Sequence, residues 1–221
     1  MTRPRDVLEL SQRAAALAGR TLGEVAAEFA AQQGTGSLLH RKGKLGQLVE
    51  RVLGASAGSR AEPDFPELGV ELKTIPLDDA GRPRESTFVA SFSLADADTA
   101  TWESSSVRHK LAHVLWIPVI TSGSEQRFGR PLFWRPTREQ EQVLRADFDD
   151  IMGTVAIGNV EGLTAHVGRW LQARPKAAHG RVRTLAYDED GPQLALPRGF
   201  YLRARVTCEL LRDPCTLAFS E

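Results

Sequence analysis

The chain of 221 residues is 42% hydrophobic and 25% charged, an ordinary balance for a globular domain, and no apolar run reaches the roughly 18 residues of a membrane span. Its 28 basic and 28 acidic residues cancel, which excludes a surface that is basic throughout but not a local basic face. Cys208 and Cys215 share no metal-ligand spacing with histidine, and Met1-Thr2-Arg3-Pro4-Arg5 leads into an amphipathic segment rather than a signal-peptide core, so reduced thiols and a cytoplasmic location are expected.

Residues 5 to 18 place Val7, Leu8, Leu10, Ala14 and Leu17 at helical spacing, with Gly19 as a stop. Thr21 and Glu24 form a capping-box pattern that opens a second helix over Leu22–Gln33. A basic cluster, His40, Arg41, Lys42 and Lys44, precedes a third helix over Lys44–Leu53, which carries Glu50 one turn before Gly54. The small residues Gly54 to Ser59 then make a loop tolerant of unusual backbone angles. From Gly69 to Ile75 polar and apolar residues alternate, the period of a strand with one buried face. Asp78 to Pro83 reads as a turn, returning the chain to a strand over Thr87–Leu94 expected to lie antiparallel to the first.

Trp102 to His113 reads as a turn or short helix bearing Arg108, His109 and Lys110. Val114–Ile120 is almost continuously apolar, as in a strand buried on both faces, and Arg130–Trp134 is another strand. Pro136-Thr137 opens a long helix to about Ile151. Residues 155 to 171 read as helical, Gln172–Pro197 as loop-rich, Gly199–Val206 as a late strand and Glu209–Arg212 as a final helical turn. The order implies an α/β fold with a mixed sheet flanked by helices. Two runs lack acids: Gly162–Tyr187, with Arg169, Arg174, Lys176, Arg181 and Arg183, and Pro197–Cys208, with Arg198, Arg203 and Arg205. Such runs can build a polyanion-binding face on a neutral molecule, or merely a solvated surface with scattered arginines.

The stretch Asp64 to Pro76 carries the chemistry. Alternation puts Glu71 and Lys73 on one strand face, and the Pro66/Gly69 segment can fold Asp64 back towards them. Two carboxylates suit Mg²⁺, which takes oxygen ligands and keeps waters for phosphate oxygens to replace. A nearby ammonium can neutralise charge during phosphoryl transfer. Taken alone, Glu-x-Lys on a strand is most often a solvated charge pair of little energetic weight.

Further residues in the same order carry a resemblance: Gly54-Ala-Ser-Ala-Gly-Ser59, Leu68-Gly-Val-Glu-Leu-Lys-Thr-Ile-Pro76, Gly81-Arg-Pro83, Thr101-Trp-Glu103, Val107-Arg-His-Lys-Leu111, Arg174-Pro-Lys-Ala-Ala178 and Leu196-Pro-Arg-Gly-Phe-Tyr-Leu202. Over about Leu8 to Leu211 the chain resembles the MutH family of DNA mismatch repair endonucleases. The resemblance implies a restriction-endonuclease-like core with two lobes forming a DNA cleft: a single endonuclease domain over 1–221, with one lobe of about 1–55 plus the catalytic strands 64–135 and the other of about 136–221.

It also implies a monomer that uses Mg²⁺ to nick the unmethylated strand of hemimethylated GATC sites in double-stranded DNA, activated by the mismatch-repair ATPase MutL. Position by position, Asp64 and Glu71 match the metal-binding carboxylates, Lys73 the catalytic lysine, and Glu50 and Lys110 an accessory acid and a second active-site lysine. Arg174, Lys176 and Tyr201 match residues that read the bases or their methylation, and Lys42 would hold phosphate from the other lobe. The segment between Ala178 and Leu196, with Asp188-Glu189-Asp190, and the tail after Leu211 depart from the family pattern. Two alternatives stand beside this reading: a restriction enzyme cutting both strands of GATC, and a non-catalytic DNA-binding module.

Overall fold

In a computed structural model the described residues are 2–33, 44–58, 62–164, 166–176, 182–188 and 191–214. The chain divides into two compact units, Met1–Arg84 with Ala112–Arg135, and Glu85–Leu111 with Pro136–Glu221.

The first unit opens with α1 (Val7–Ala15), started by the Asp6 side chain, which accepts the Glu9 N–H at 2.8 Å, and α2 (Leu22–Gln33), started by the reciprocal Thr21–Glu24 bonds expected from the sequence. With α3 (Lys44–Leu53) these helices cover one face of a sheet made by β1 (Glu71–Leu77), β3 (Val114–Ser122), β4 (Glu125–Phe128) and β5 (Leu132–Trp134). β1 runs parallel to β3, while β4 and β5 are antiparallel to it, so the sheet is mixed. Leu10, Val49 and Leu53 from the helices meet Leu72, Leu115, Ile117 and Val119 from the sheet in one core. β3 is buried over most of its length, as its unbroken apolar run predicts.

The second unit is built on an antiparallel sheet in the order β2 (Thr87–Phe92), β9 (Arg198–Leu202), β6 (Leu171–Pro175). The expected antiparallel pairing of the second strand with the first does not form: β2 pairs with β9 instead. The stretch Glu85–Leu111, expected with the N-terminal strands, consequently belongs to the second unit. α5 (Arg138–Ala156), opened by a Thr137–Gln140 capping box, packs Phe148 on Phe200 of β9 at 5.4 Å between ring centroids. Short α4 (Ser106–Leu111) precedes β3 in the chain, and a two-stranded ribbon, β7 (Thr184–Asp188) with β8 (Gly191–Ala195), completes the strands.

Three other expectations are corrected. Residues 155–171 are not a helix: α5 stops at Ala156, and Gly158 at φ +78° and Gly168 at φ +79° turn the chain through a short 3₁₀ stretch at Val160–Gly162. Gln172–Pro197, expected to be loop-rich, holds most of β6 and all of β7 and β8 among its described residues. The late strand ends at Leu202, and α6 (Ala204–Arg212) takes over with Val206, Thr207 and Leu210 buried. No described helix is long and apolar enough to cross a membrane.

Candidate active site

Among the described residues β1 stands at the edge of its sheet, with β3 as its one partner strand. The Glu71 N–H turns towards that neighbour and donates to His113 O at 2.9 Å. The next N–H, that of Leu72, turns to the open edge, where Asp64 Oδ2 accepts it at 2.8 Å. Local turn chemistry delivers Asp64 there. A 3₁₀ turn at Pro66–Leu68 and left-handed Gly69 at φ +62° fold the chain back so that Phe65 bridges to Val70. The N–H groups of Ser56 and Ala57 hold the Asp64 carbonyl at 3.0 and 3.3 Å. The small-residue loop thus clamps the carboxylate-bearing residue from one side and β1 from the other.

Strand alternation places Leu72 on the helix-covered face and Glu71 and Lys73 on the opposite one. Glu71 is only 1% exposed, and Lys73 Nζ donates to its Oε1 at 2.5 Å. Beside them in register stand Val114 and Trp116 of β3, with Trp134 of β5 opposite Val114; the two indoles lie 6.3 Å apart. A solvated charge pair, the alternative left open by the sequence, is therefore excluded: this carboxylate is buried. Taking a carboxylate and an ammonium out of water carries a desolvation cost of several kcal/mol per ion, which a residue kept for stability alone avoids. Nearby, burial and then the charge of Arg135 push the His113 imidazole below its ordinary range, and Arg135 Nη2 lies 3.1 Å from His113 Nδ1.

Glu50 lies on α3, where that helix crosses β1. A methyl group built on Gly46 would stand 3.9 Å from Glu50 Oε1 and 3.7 Å from Thr74 Oγ1, so carboxylate and hydroxyl flank one point of the helix–strand contact. Among the described residues no three His, Cys, Asp or Glu side chains gather into a closed metal cage. A pair of hard carboxylate oxygens, with water and phosphate completing the shell, is nevertheless the donor set that Mg²⁺ takes, and Asp64 with Glu71 fits it chemically. Lys110 is half-buried on α4 in the second unit. Lys42 lies outside the described residues.

The second unit gathers another group. Across its sheet Gln172, Tyr201 and Phe88 stand in one row and share a face. Phe88 meets Tyr201 edge-on at 5.3 Å, Arg174 lies over the Tyr201 ring at 5.7 Å, and Lys176 Nζ sits 3.3 Å from the centre of the Phe88 ring. Gly199 makes room for this cluster, since a Cβ there would come within 2.9 Å of Phe88 Cε2. Burial raises the Tyr201 phenol above its ordinary value against the opposing pull of Arg174, so it stays neutral and keeps its proton to donate. Ser86 Oγ accepts from Gln172 Nε2 at 2.7 Å and from Arg174 Nη1 at 3.4 Å. Arg174, Lys176 and Tyr201 are therefore brought together around Phe88. Phe88, Ser86 and Gln172 were not singled out from the sequence, because their inclusion depends on the pairing of β2 and β6 with β9.

Residues 53–147 match the family model described as DNA mismatch repair enzyme MutH. The chain is 51% identical over 213 residues to the DNA mismatch repair protein MutH of Pectobacterium atrosepticum, covering 94% of this chain and 92% of that one. It is 49% identical to the proteins of the same name from Serratia proteamaculans and Yersinia pestis, again covering 94% of this chain and 93% of each relative. The mixed sheet flanked by helices is the restriction-endonuclease-like core expected for such proteins. With half its residues shared along nearly its full length, this chain belongs to the MutH family of DNA mismatch repair enzymes.

Proposed function

We propose that the protein is an Mg²⁺-dependent endonuclease that nicks the unmethylated strand at hemimethylated GATC sites during methyl-directed mismatch repair, as a monomer activated by MutL. The observation that carries this reading is the convergence at residues 71–73 of β1: Asp64 on the Leu72 N–H, and Glu71 buried under the Lys73 ammonium.

Asp64 and Glu71 would hold the Mg²⁺, which when bound supplies charge stabilisation at a phosphoryl oxygen and a more acidic water. Asp64 is kept in place by the Ser56 and Ala57 N–H groups, so its carboxylate needs little reorganisation. Lys73 holds the Glu71 carboxylate in one orientation and offers a positive charge where negative charge develops on the scissile phosphate. Glu50 and Lys110 serve as accessory acid and second lysine. In the second unit Arg174, Lys176 and Tyr201 read the site: an N6-methyl group on adenine projects into the major groove, where an arginine fork and a neutral phenol can sense donors, acceptors and bulk. Lys42 holds backbone phosphate.

Plasmids carrying unmethylated, hemimethylated and fully methylated GATC, incubated with Mg²⁺ with and without MutL, test this reading. Nicked circles from hemimethylated plasmid, enhanced by MutL, and no product from fully methylated plasmid are expected. Linear product without MutL would identify a restriction enzyme cutting both strands, and tight binding without any product a non-catalytic module.

A further inference from the structure

The second acid-free run of the sequence leads to a feature that the proposed active site does not use. An open concavity of about 510 Å³ in the second unit has Ser86, His166, Gln172, Arg203 and Arg205 as its polar lining among the described residues, and none of its described lining residues is a carboxylate. Both arginines are fixed by backbone carbonyls. Arg203 Nη2 donates to Gly168 O at 2.7 Å and Val167 O at 3.2 Å, and Arg205 Nη2 donates to Arg169 O at 3.1 Å. Each guanidinium carries five N–H donors, and these bonds orient the two forks. Gln172 is 6% exposed and donates to Ser86, so the polar wall is built into the fold and not laid on its surface.

The charges here are otherwise in conflict. Burial, and then the field of Arg205, push Arg203 below its ordinary value. Asp147, the acid that opposes this, already accepts the N–H groups of Arg169, Trp170 and Leu171 at 2.6, 2.6 and 2.7 Å. Arg203 and Arg205 also open α6, whose first turn has no acid and no capping side chain. Cations at the positive end of a helix dipole are unfavourable, and a bound anion relieves both conflicts at once.

We propose that this concavity binds a backbone phosphate of the DNA substrate, away from the bond that is cut; this rests on the nuclease reading above. Ser86 lines the concavity and also accepts from Arg174, so a phosphate seated here fixes the register of the Arg174–Tyr201 face on the duplex without reading any base.

The test compares wild type with Arg205→Ala and Arg205→Lys. Affinity for GATC and scrambled duplexes is measured in Ca²⁺ between 50 and 200 mM salt, with folding checked by circular dichroism. In parallel, the melting temperature is followed with inorganic phosphate against chloride at equal ionic strength. Arg205→Ala is expected to flatten the dependence of log K on log salt by about 0.9, equally on both duplexes, with Arg205→Lys restoring it. Phosphate is expected to raise the melting temperature of wild type but not of Arg205→Ala. An unchanged salt slope in folded Arg205→Ala overturns the proposal. If phosphate still stabilises wild type while the slope is unchanged, the concavity is a free-anion site and not a DNA contact. A loss confined to the GATC duplex would make Arg205 a base reader and overturn the phosphate assignment. Absence of salt-sensitive duplex binding in wild type would overturn the nuclease reading and this proposal with it.

Discussion

Replacing Lys73 by methionine removes the ammonium while keeping most of the side-chain volume, which isolates the electrostatics of the buried pair. Glu71 is 1% exposed and the Lys73 side chain 14%, so solvent compensates little for the lost charge. Removing one partner of a buried ion pair costs about 3–5 kcal/mol. The expected loss is therefore about 3 kcal/mol or more. Urea unfolding followed by tryptophan fluorescence measures it, since Trp116 and Trp134 flank the pair in the first unit. Adding Glu71→Gln to the Lys73→Met background neutralises the stranded carboxylate, and the double variant should return to within about 1 kcal/mol of wild type or exceed it. The reasoning is refuted if Lys73→Met lies within about 0.5 kcal/mol of wild type, the value of an exposed pair, or if the second substitution recovers nothing.

Arg174→Ala should reduce discrimination between GATC and scrambled duplexes by about 1–3 kcal/mol in competition binding, the worth of a bidentate base contact; an equal loss on both duplexes would reassign Arg174 to phosphate. Glu9, which accepts from the Arg5 N–H, Arg5 Nε and Arg13 Nη2, has its carboxyl lowered from 4.5 to about 2, chiefly by the Arg5 N–H. A lowered folded-state value means that the stabilisation is complete above the unfolded value and is lost as pH falls from about 4.5 to about 2. The stability gap between wild type and Glu9→Gln should therefore be constant above pH 5 and close through that acid window; a gap independent of pH would contradict it. Gly168→Ala combines φ +79° with a Cβ only 2.3 Å from Leu171 O, whereas Gly69→Ala at φ +62° meets nothing within 4 Å. Thermal unfolding should show about 1–2 kcal/mol lost at Gly69 and clearly more at Gly168; equal losses would mean that the close approach relaxes freely.

The helices of the first unit and the face assignment on β1 were legible because each rests on local chemistry: the Thr21–Glu24 box, and alternation that buries Leu72 on one side and sets Glu71 beside Lys73 on the other. What alternation does not express is which strand pairs with which. The Asp78–Pro83 turn suggested a hairpin, yet Leu77 only bridges to Pro83 and β2 joins β9, more than a hundred residues later. The same non-local pairing hid β6, a five-residue strand ending at Pro175 that looks like loop until β9 lies beside it. Phe200, Tyr201 and Val206 suit a strand, but the chain changes at Arg203, and the burial of Val206, Thr207 and Leu210 on one helical face sets the boundary. The burial of Glu71 was equally illegible, because it depends on the apolar side chains that β3 and β5 place around β1.

Single-turnover cleavage of a hemimethylated GATC duplex by wild type and Glu71→Gln in Mg²⁺, with affinity for the same duplex measured in Ca²⁺, tests the central claim most directly. Loss of nicking by the variant with its fold and duplex affinity retained is the predicted result. Nicking at the wild-type rate by folded Glu71→Gln would contradict the assignment of the buried carboxylate on β1 to the catalytic centre.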